Sequence, residues 1–135
     1  MNVVLDASIF VSAALKANSV SERALLHAAS QPNRLLLSSD IEDEYREVIF
    51  RPKFDRFVSV ARRLAILGLV LAAGERVNGI VPVRECADPK DDKYLALAAA
   101  GGADVIVSGD VRHLLAMHPW RGIAIVSPSV FLSIS

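Results

Sequence analysis

Asn2-Val3-Val4-Leu5-Asp6 near the start of the sequence and Asp104-Val105-Ile106-Val107-Ser108-Gly109-Asp110 far downstream are built alike. Each is a short, unbroken apolar run, rich in β-branched residues, that stops at a polar turn carrying an aspartate. A strand with one wet face alternates apolar and polar residues. These runs do not alternate, which is the pattern of strands covered on both faces in a parallel sheet.

Outward from these two runs the chain alternates helical and extended patterns. Residues 9–16 suit a short helix, and Ser19 or Ser21 with Glu22 caps a second helix that Pro32 and Asn33 close. Residues 34–38 read as a strand, followed by Ser39 and Asp40 as caps of a helix through Phe50 that Arg51-Pro52 ends. Phe57, Val58, Ala61, Leu64, Ala65 and Leu67 recur at three- and four-residue spacing, predicting a long amphipathic helix over 55–73 with Gly74 as its stop. Residues 80–83 form a weak strand pattern. Asp88-Pro89-Lys90-Asp91-Asp92 then leads into an Ala-rich helix over 94–100, closed by Gly101-Gly102. Beyond the 104–108 strand, Gly109-Asp110 turns into a short helix through Met117. Residues 123–127 are a last strand, and Ser127-Pro128 starts a final helical turn. The expectation is an α/β fold around a parallel sheet, as one domain over residues 1–135.

Composition narrows the function classes. The chain has 135 residues, 53% of them hydrophobic, which is too apolar for a disordered tail. Fifteen Lys and Arg cancel fifteen Asp and Glu, so binding nucleic acid by bulk charge is excluded. A bound cation would add charge that this count omits. With Cys86 as the only cysteine no intrachain disulfide forms, and a reducing compartment is expected. Cys86 itself, with no activating base nearby in sequence, reads as a buried structural thiol. Mean hydropathy is +0.39, yet the longest apolar run, residues 64–74, is too short to span a bilayer, which needs ~20 residues. Asp6 inside the first apolar stretch argues against a secretory signal. A soluble, cytoplasmic protein is expected.

The acidic residues carry the chemistry. Asp6 and Asp110 each follow a strand, and the strand-end rule puts them on one edge of the sheet. Asp91 and Asp92 open a helix, whose dipole favours negative charge. Asp40, Glu44 and Glu47 share a helix face by their spacing. Singly, each has an ordinary reading: Asp6 and Asp110 as turn residues, Asp91 or Asp92 as a cap, Glu44 on a solvated face. Together they would repel one another unless they gain protons or a counter-charge, and no Lys or Arg adjoins Asp6 or Asp110. Oxygen ligands without a His or Cys set suit Mg²⁺ or Mn²⁺, and His27, His113 and His118 lack the HExxH arrangement of a zinc hydrolase. Such ions suit phosphodiester hydrolysis, where one activates water and a second stabilises the leaving oxygen.

The ordered pieces Val3-Val4-Leu5-Asp6-Ala7-Ser8, Ser39 to Val48 with Glu44, Arg51-Pro52-Lys53-Phe54, Asp88 to Ala98 and Ala103 to Asp110 resemble the PIN domain family, specifically its VapC-like toxin group of metal-dependent ribonucleases. The resemblance implies a three-layer sandwich with a central, mostly parallel sheet. It places the family's acids on Asp6, Glu44, Asp91 and Asp110. Where the family often has Asp-Asn this chain has Asp91-Asp92, so Asp92 stands beside Asp91 as the third metal ligand. Ser8 and Ser108 replace the family's usual Asn or Thr and keep a hydroxyl that orients a carboxylate or a water. Catalysis by Asp6, Glu44, Asp91 and Asp110 with one or two Mg²⁺ or Mn²⁺ ions, cleavage of single-stranded RNA, a cognate antitoxin and a homodimer formed through helices are what the resemblance implies.

Arg46, Arg51, Lys53, Arg56, Arg62 and Arg63 crowd one third of the chain. Arg51 and Lys53 are the candidates for guiding an RNA backbone, against a plain solvated helix face. Two rival readings remain. A receiver-like signalling module also sets Asp at strand ends, but needs a Lys after a late strand that this chain lacks. A phosphatase of the haloacid dehalogenase pattern needs an Asp at position 8, where Ser8 stands. A degenerate PIN domain that only binds is the third alternative.

Overall fold

The two apolar runs become neighbouring strands at the middle of a sheet. In the computed structural model, which describes residues 1–135, β1 (Asn2–Leu5) pairs with β2 (Arg34–Leu37) on one side and β4 (Val105–Val107) on the other. β3 (Glu75–Arg76) extends the sheet beyond β2, and β5 (Ala124–Val126) extends it beyond β4. All pairings are parallel and the order is β3-β2-β1-β4-β5. Val3, Val4, Leu5, Val105, Ile106 and Val107 are all buried, as strands covered on both faces must be.

The helices are α1 (Ala7–Leu15), α2 (Val20–Ala28), α3 (Ser39–Ile49), α4 (Val60–Ala73), α5 (Asp92–Gly101) and α6 (Pro128–Ile134). From β1 the chain moves outward to β2 and β3, then returns to the far side of β1 as β4 and β5. With right-handed crossovers that reversal changes face. α5 accordingly packs on β1, β2 and β4, while α1 packs with α2, α3 and α4, and α6 with α2. The result is the expected α/β sandwich with a fully parallel sheet. α5 approaches the sheet closely at Gly101, where a Cβ would stand 2.7 Å from Leu36 Cδ1. Gly102 ends the helix in the left-handed region at φ +62°. No helix is long and apolar enough to cross a membrane.

Several local expectations are corrected. Ser38, not Ser39 or Asp40, caps α3, accepting the Ile41 N–H at 3.3 Å. No strand forms over 80–83, where Pro82 lacks the N–H a ladder needs. The edge strand is instead Glu75–Arg76, and Val77 extends it by donating to the Leu37 carbonyl at 2.9 Å. The expected helix through Met117 shrinks to a 3-10 turn at Leu115–Met117. The long helix starts at Val60, capped by Ser59, rather than at Asp55.

Arg63 explains that late start. It is 2% exposed, and its guanidinium donates to the carbonyls of Val58 (2.9 and 3.3 Å) and Ile49 (3.4 Å) and to Asp55 (3.0 Å). The chain between α3 and α4 therefore wraps a buried cation and cannot continue as helix. α4 buries Arg63, Ile66, Leu67 and Val70. Phe57, Ala61, Leu64 and Ala65, which the spacing pattern assigns to the core side, face outward instead.

Removing Arg63 orphans two buried carbonyls, each costing ~1–3 kcal/mol. Arg63→Met should therefore lower unfolding free energy by about 2–6 kcal/mol. Asp55→Asn should cost under about 1 kcal/mol, because the Asp55 side chain is 66% exposed. Urea midpoints of the two variants check the difference.

Candidate metal centre

The sheet order reverses beside β1, and a parallel α/β sheet opens its crevice at such a point, outside the carboxyl ends of the strands. Asp6 is the first residue beyond β1. Its N–H donates to the Val107 carbonyl at 3.0 Å, so the ladder with β4 runs into the site. Its Oδ1 accepts the Ile9 N–H at 3.2 Å, capping α1, and also the Ser8 hydroxyl, while Oδ2 accepts the Ser108 hydroxyl. Ser108 Oγ accepts the Asp110 N–H at 2.9 Å, and Ser8 Oγ accepts the Gly109 N–H at 3.2 Å. The two serines thus stitch the ends of β1 and β4 around one carboxylate. Burial pushes the Asp6 carboxyl above its usual range, and the Ser108 and Ser8 hydroxyls and the Ile9 N–H oppose that push. Asp6 is a helix cap and a site residue at once.

Asp110 follows Ser108 and Gly109 and is tied to His113 by two bonds: the His113 N–H at 3.2 Å and ring Nδ1 at 3.0 Å. Asp91 begins α5, yet its side chain makes no cap bond. Its Oδ2 is shut off from solvent without any hydrogen-bond partner. Burial, then Asp110, Asp88 and Asp6, raise the Asp91 carboxyl to about 7. Against its own desolvation, Asp110 is held below the usual range by hydrogen bonds from Asp91 and His113. Of the two carboxyls, Asp91 is the one whose surroundings favour the protonated form. None of the ion pairs brings Lys or Arg to Asp6, Asp91 or Asp110.

Glu44 is held differently. Lys93 donates to its Oε2 and the Tyr94 hydroxyl to its Oε1. Tyr94 Oη also accepts the Ala7 N–H at 3.0 Å, so one phenol links Glu44 to the residue after Asp6. The neighbouring Tyr45 donates to the Leu5 carbonyl and stacks on Phe10 at 4.6 Å, clamping α3 to the end of β1. Asp40, Glu44 and Glu47 do share a face, and with Asp43 and Lys93 they line an open groove of about 400 Å³.

Asp92 is engaged elsewhere: its Oδ1 accepts the N–H groups of Glu85 (3.1 Å) and Cys86 (2.8 Å), anchoring the preceding loop. Asp91 is therefore the member of the pair that faces Asp110. Cys86 is buried, and desolvation pushes its thiol up, away from nucleophilic chemistry. The basic stretch forms no continuous free surface. Arg46 pairs with Glu42, Arg51 with Glu47, Arg62 with Glu22 and Arg63 with Asp55. Lys53 lies over Phe54 and Arg56 over Phe57.

Sequence reasoning singled out neither Lys93 nor Tyr94 for the site. The signal available was their place directly after Asp91-Asp92 on the same helix. It also missed His113, three residues after Asp110, the spacing at which one turn lets a side chain reach back.

The unpartnered Asp91 oxygen, the upward push on its carboxyl from neighbouring acids and oxygen donors without arginine or lysine fit a hard divalent cation. A family model described as PIN domain matches residues 2–112. No curated protein gives a significant match. The matched span is most of the chain, which therefore belongs to the PIN domain family.

A carboxyl raised in the folded state contributes stability that is full below its unfolded pKa and lost as pH rises through the folded one. Asp91 acts in this sense between about 4 and 7, and Asp6 adds the same sign. Asp110, shifted down, acts only at lower pH. In EDTA the wild type should lose melting temperature from pH 5 to pH 7.5, and Asp91→Asn should lose less. Mn²⁺ should raise the melting temperature more at pH 7.5 than at pH 5. Equal shifts at both values would contradict this assignment.

Proposed function

We propose that this PIN domain protein is a divalent-metal-dependent endoribonuclease that hydrolyses phosphodiester bonds in single-stranded RNA, as the VapC-like toxin of a toxin–antitoxin pair. The reading is supported by one observation: Asp91 keeps an oxygen shut off from solvent without a hydrogen-bond partner, its carboxyl is pushed up by burial and by Asp110, Asp88 and Asp6, and no Lys or Arg pairs with it. PIN domains are in general metal-dependent nucleases, which agrees with the family match.

Asp6, Glu44, Asp91 and Asp110 would hold Mg²⁺ or Mn²⁺, which when bound lowers the pKa of water and offsets charge on the leaving oxygen. The chain's own residues supply the geometry. Asp6 is fixed by two hydroxyls and a helix N–H, so it needs no reorganisation as substrate arrives. Ser8 and Ser108 hold that orientation. Tyr94 fixes Glu44, and Lys93, paired with Glu44, sets a positive charge on the lining of the acidic groove. Arg51 and Lys53, both exposed beyond α3, guide the RNA backbone. The homodimer and the antitoxin are part of the same reading. The outward apolar set Phe57, Val60 and Leu64, each more than half exposed, offers the helical surface that a second copy needs.

Asn retains capping ability, so Asp6→Asn should keep the fold. It should cut Mn²⁺-dependent cleavage of labelled single-stranded RNA by about 100-fold or more. Full activity in that variant removes Asp6 from the site. RNA binding without cleavage by the wild type would favour the degenerate, binding-only alternative. Arg51→Ala with Lys53→Ala should reduce the slope of log affinity against log salt by about 1.4, the value for two lost single-strand phosphate contacts. An unchanged slope excludes both residues.

A further inference from the structure

We propose that Phe54 and Phe57, each carrying a cation, form a base-stacking subsite for single-stranded RNA on the turn between α3 and α4, away from the acidic centre. The subsite rests on the nuclease reading for its ligand and assigns where the unpaired bases of that ligand are held.

Residues 51–57 read Arg-Pro-Lys-Phe-Asp-Arg-Phe, in which a cation directly precedes a ring twice over. The backbone here is a tight turn. The Phe54 N–H donates to the Arg51 carbonyl at 3.0 Å, Asp55 to Pro52 at 3.0 Å and Phe57 to Phe54 at 2.9 Å. Side chains three apart eclipse in such 3-10 geometry, so both rings fall on one side. Both border the same groove of about 570 Å³, with Leu15 and Lys53 as its other walls. Each cation lies over the ring that follows it: Lys53 Nζ is 5.1 Å from the centre of Phe54, and Arg56 Cζ is 5.5 Å from that of Phe57.

The turn is held from beneath by the buried Arg63, which binds the Asp55 carboxylate and the Val58 carbonyl. The rings are therefore set before any ligand arrives, and little ordering is left for binding to offset. Phe57 is 66% exposed, so a cation on one face leaves most of its surface free.

Charge decides the occupant. Lys53 and Arg56 form no ion pair, nor does Lys16, the residue after Leu15. The one acid of the turn, Asp55, is taken by Arg63. Unneutralised cations interleaved with exposed rings suit a polyanion with flat apolar faces, and every nucleobase has such a face. A two-fold contact between copies sets a patch against itself, which here would bring Lys53 and Arg56 up to their own counterparts. The self-association surface of α4 therefore centres on Val60 and Leu64, with Phe57 at its border.

The place in the fold agrees. Arg51, where the turn begins, pairs with Glu47 on the lining of the acidic groove. From Glu44 to Arg51 is seven residues of chain, about 10 Å along a helix. α3 thus leads from the proposed metal centre to the subsite, where nucleotides flanking the cleaved bond would lie.

The test is binding of a short fluorescein-labelled oligouridylate to the full chain in EDTA, read by anisotropy. Phe54→Leu and Phe57→Leu keep apolar bulk and lose the ring, and each should weaken binding about fivefold or more. The slope of log affinity against log salt should not change, because no phosphate contact is lost. Phe54→Tyr should bind as the wild type does. An abasic oligonucleotide should bind the wild type and Phe54→Leu equally. Melting temperatures establish that the leucine variants fold. Unchanged affinity in both leucine variants overturns the proposal, as does a loss that the abasic oligonucleotide shows equally. Sedimentation in which Phe54→Leu dissociates a dimer without changing RNA affinity assigns the groove to a second copy and overturns it too. A wild type that binds RNA through Phe54 yet cleaves none refutes the nuclease reading and leaves the subsite standing. Cleaving activity with an RNA affinity that neither ring affects does the reverse.

Discussion

Everything at the carboxyl edge of the sheet is arranged around one buried charge. The Asp6 carboxylate sits where β1 ends, and it is gripped from β4 by Ser108, from its own turn by Ser8, and from α1 by the Ile9 N–H. Moving it would uncap α1 and loosen the junction of the two central strands together. Such an anchor is costly to keep ionised, as its upward shift shows, and the fold offers it hydroxyls instead of a cation. The surrounding acids inherit the same shortage.

That shortage is met unequally. Glu44 has a lysine and a phenol of its own, both from α5, so α3 and α5 are joined across the groove by a neutralised pair. Asp110 has only His113, and Asp91 has no cation at all and is pushed toward its protonated form. Near neutral pH this half of the site stands close to losing the Asp91 proton, and a divalent cation is the natural replacement for it. The chemistry of the centre follows from this imbalance more than from the number of acids.

What could be read in advance was whatever depends on local pattern. β1, β2 and the 104–108 strand were legible because strands buried on both faces leave no polar alternation to confuse with a helix. The placement of Asp6 and Asp110 after β1 and β4 was legible because they end such strands, and that of Glu44 because it lies on one helix face with Asp40 and Glu47. The preference for Asp91 over Asp92 came from the resemblance and not from the local pattern, since neighbours on a helix point about 100° apart and the start of the turn sets which faces inward. The pairing of Lys93 and Tyr94 with Glu44 joins residues about fifty positions apart, and nothing local announces it. Arg63 misled in a different way: a charged residue on the buried side of α4 and apolar ones outside invert the periodic signal, so the helix was given the wrong start and the wrong inner face.

The metal centre depends on a divalent ion displacing the proton that the Asp91 carboxyl favours near neutral pH. Calorimetric titration of the metal-free chain with MnCl₂ at pH 7, repeated in two buffers of different ionisation enthalpy, measures ion uptake and proton release together. Saturable uptake with a fraction of a proton released per ion, and a smaller release from Asp91→Asn, is the expected result. Absence of uptake at millimolar Mn²⁺, or uptake with no proton leaving, would contradict it.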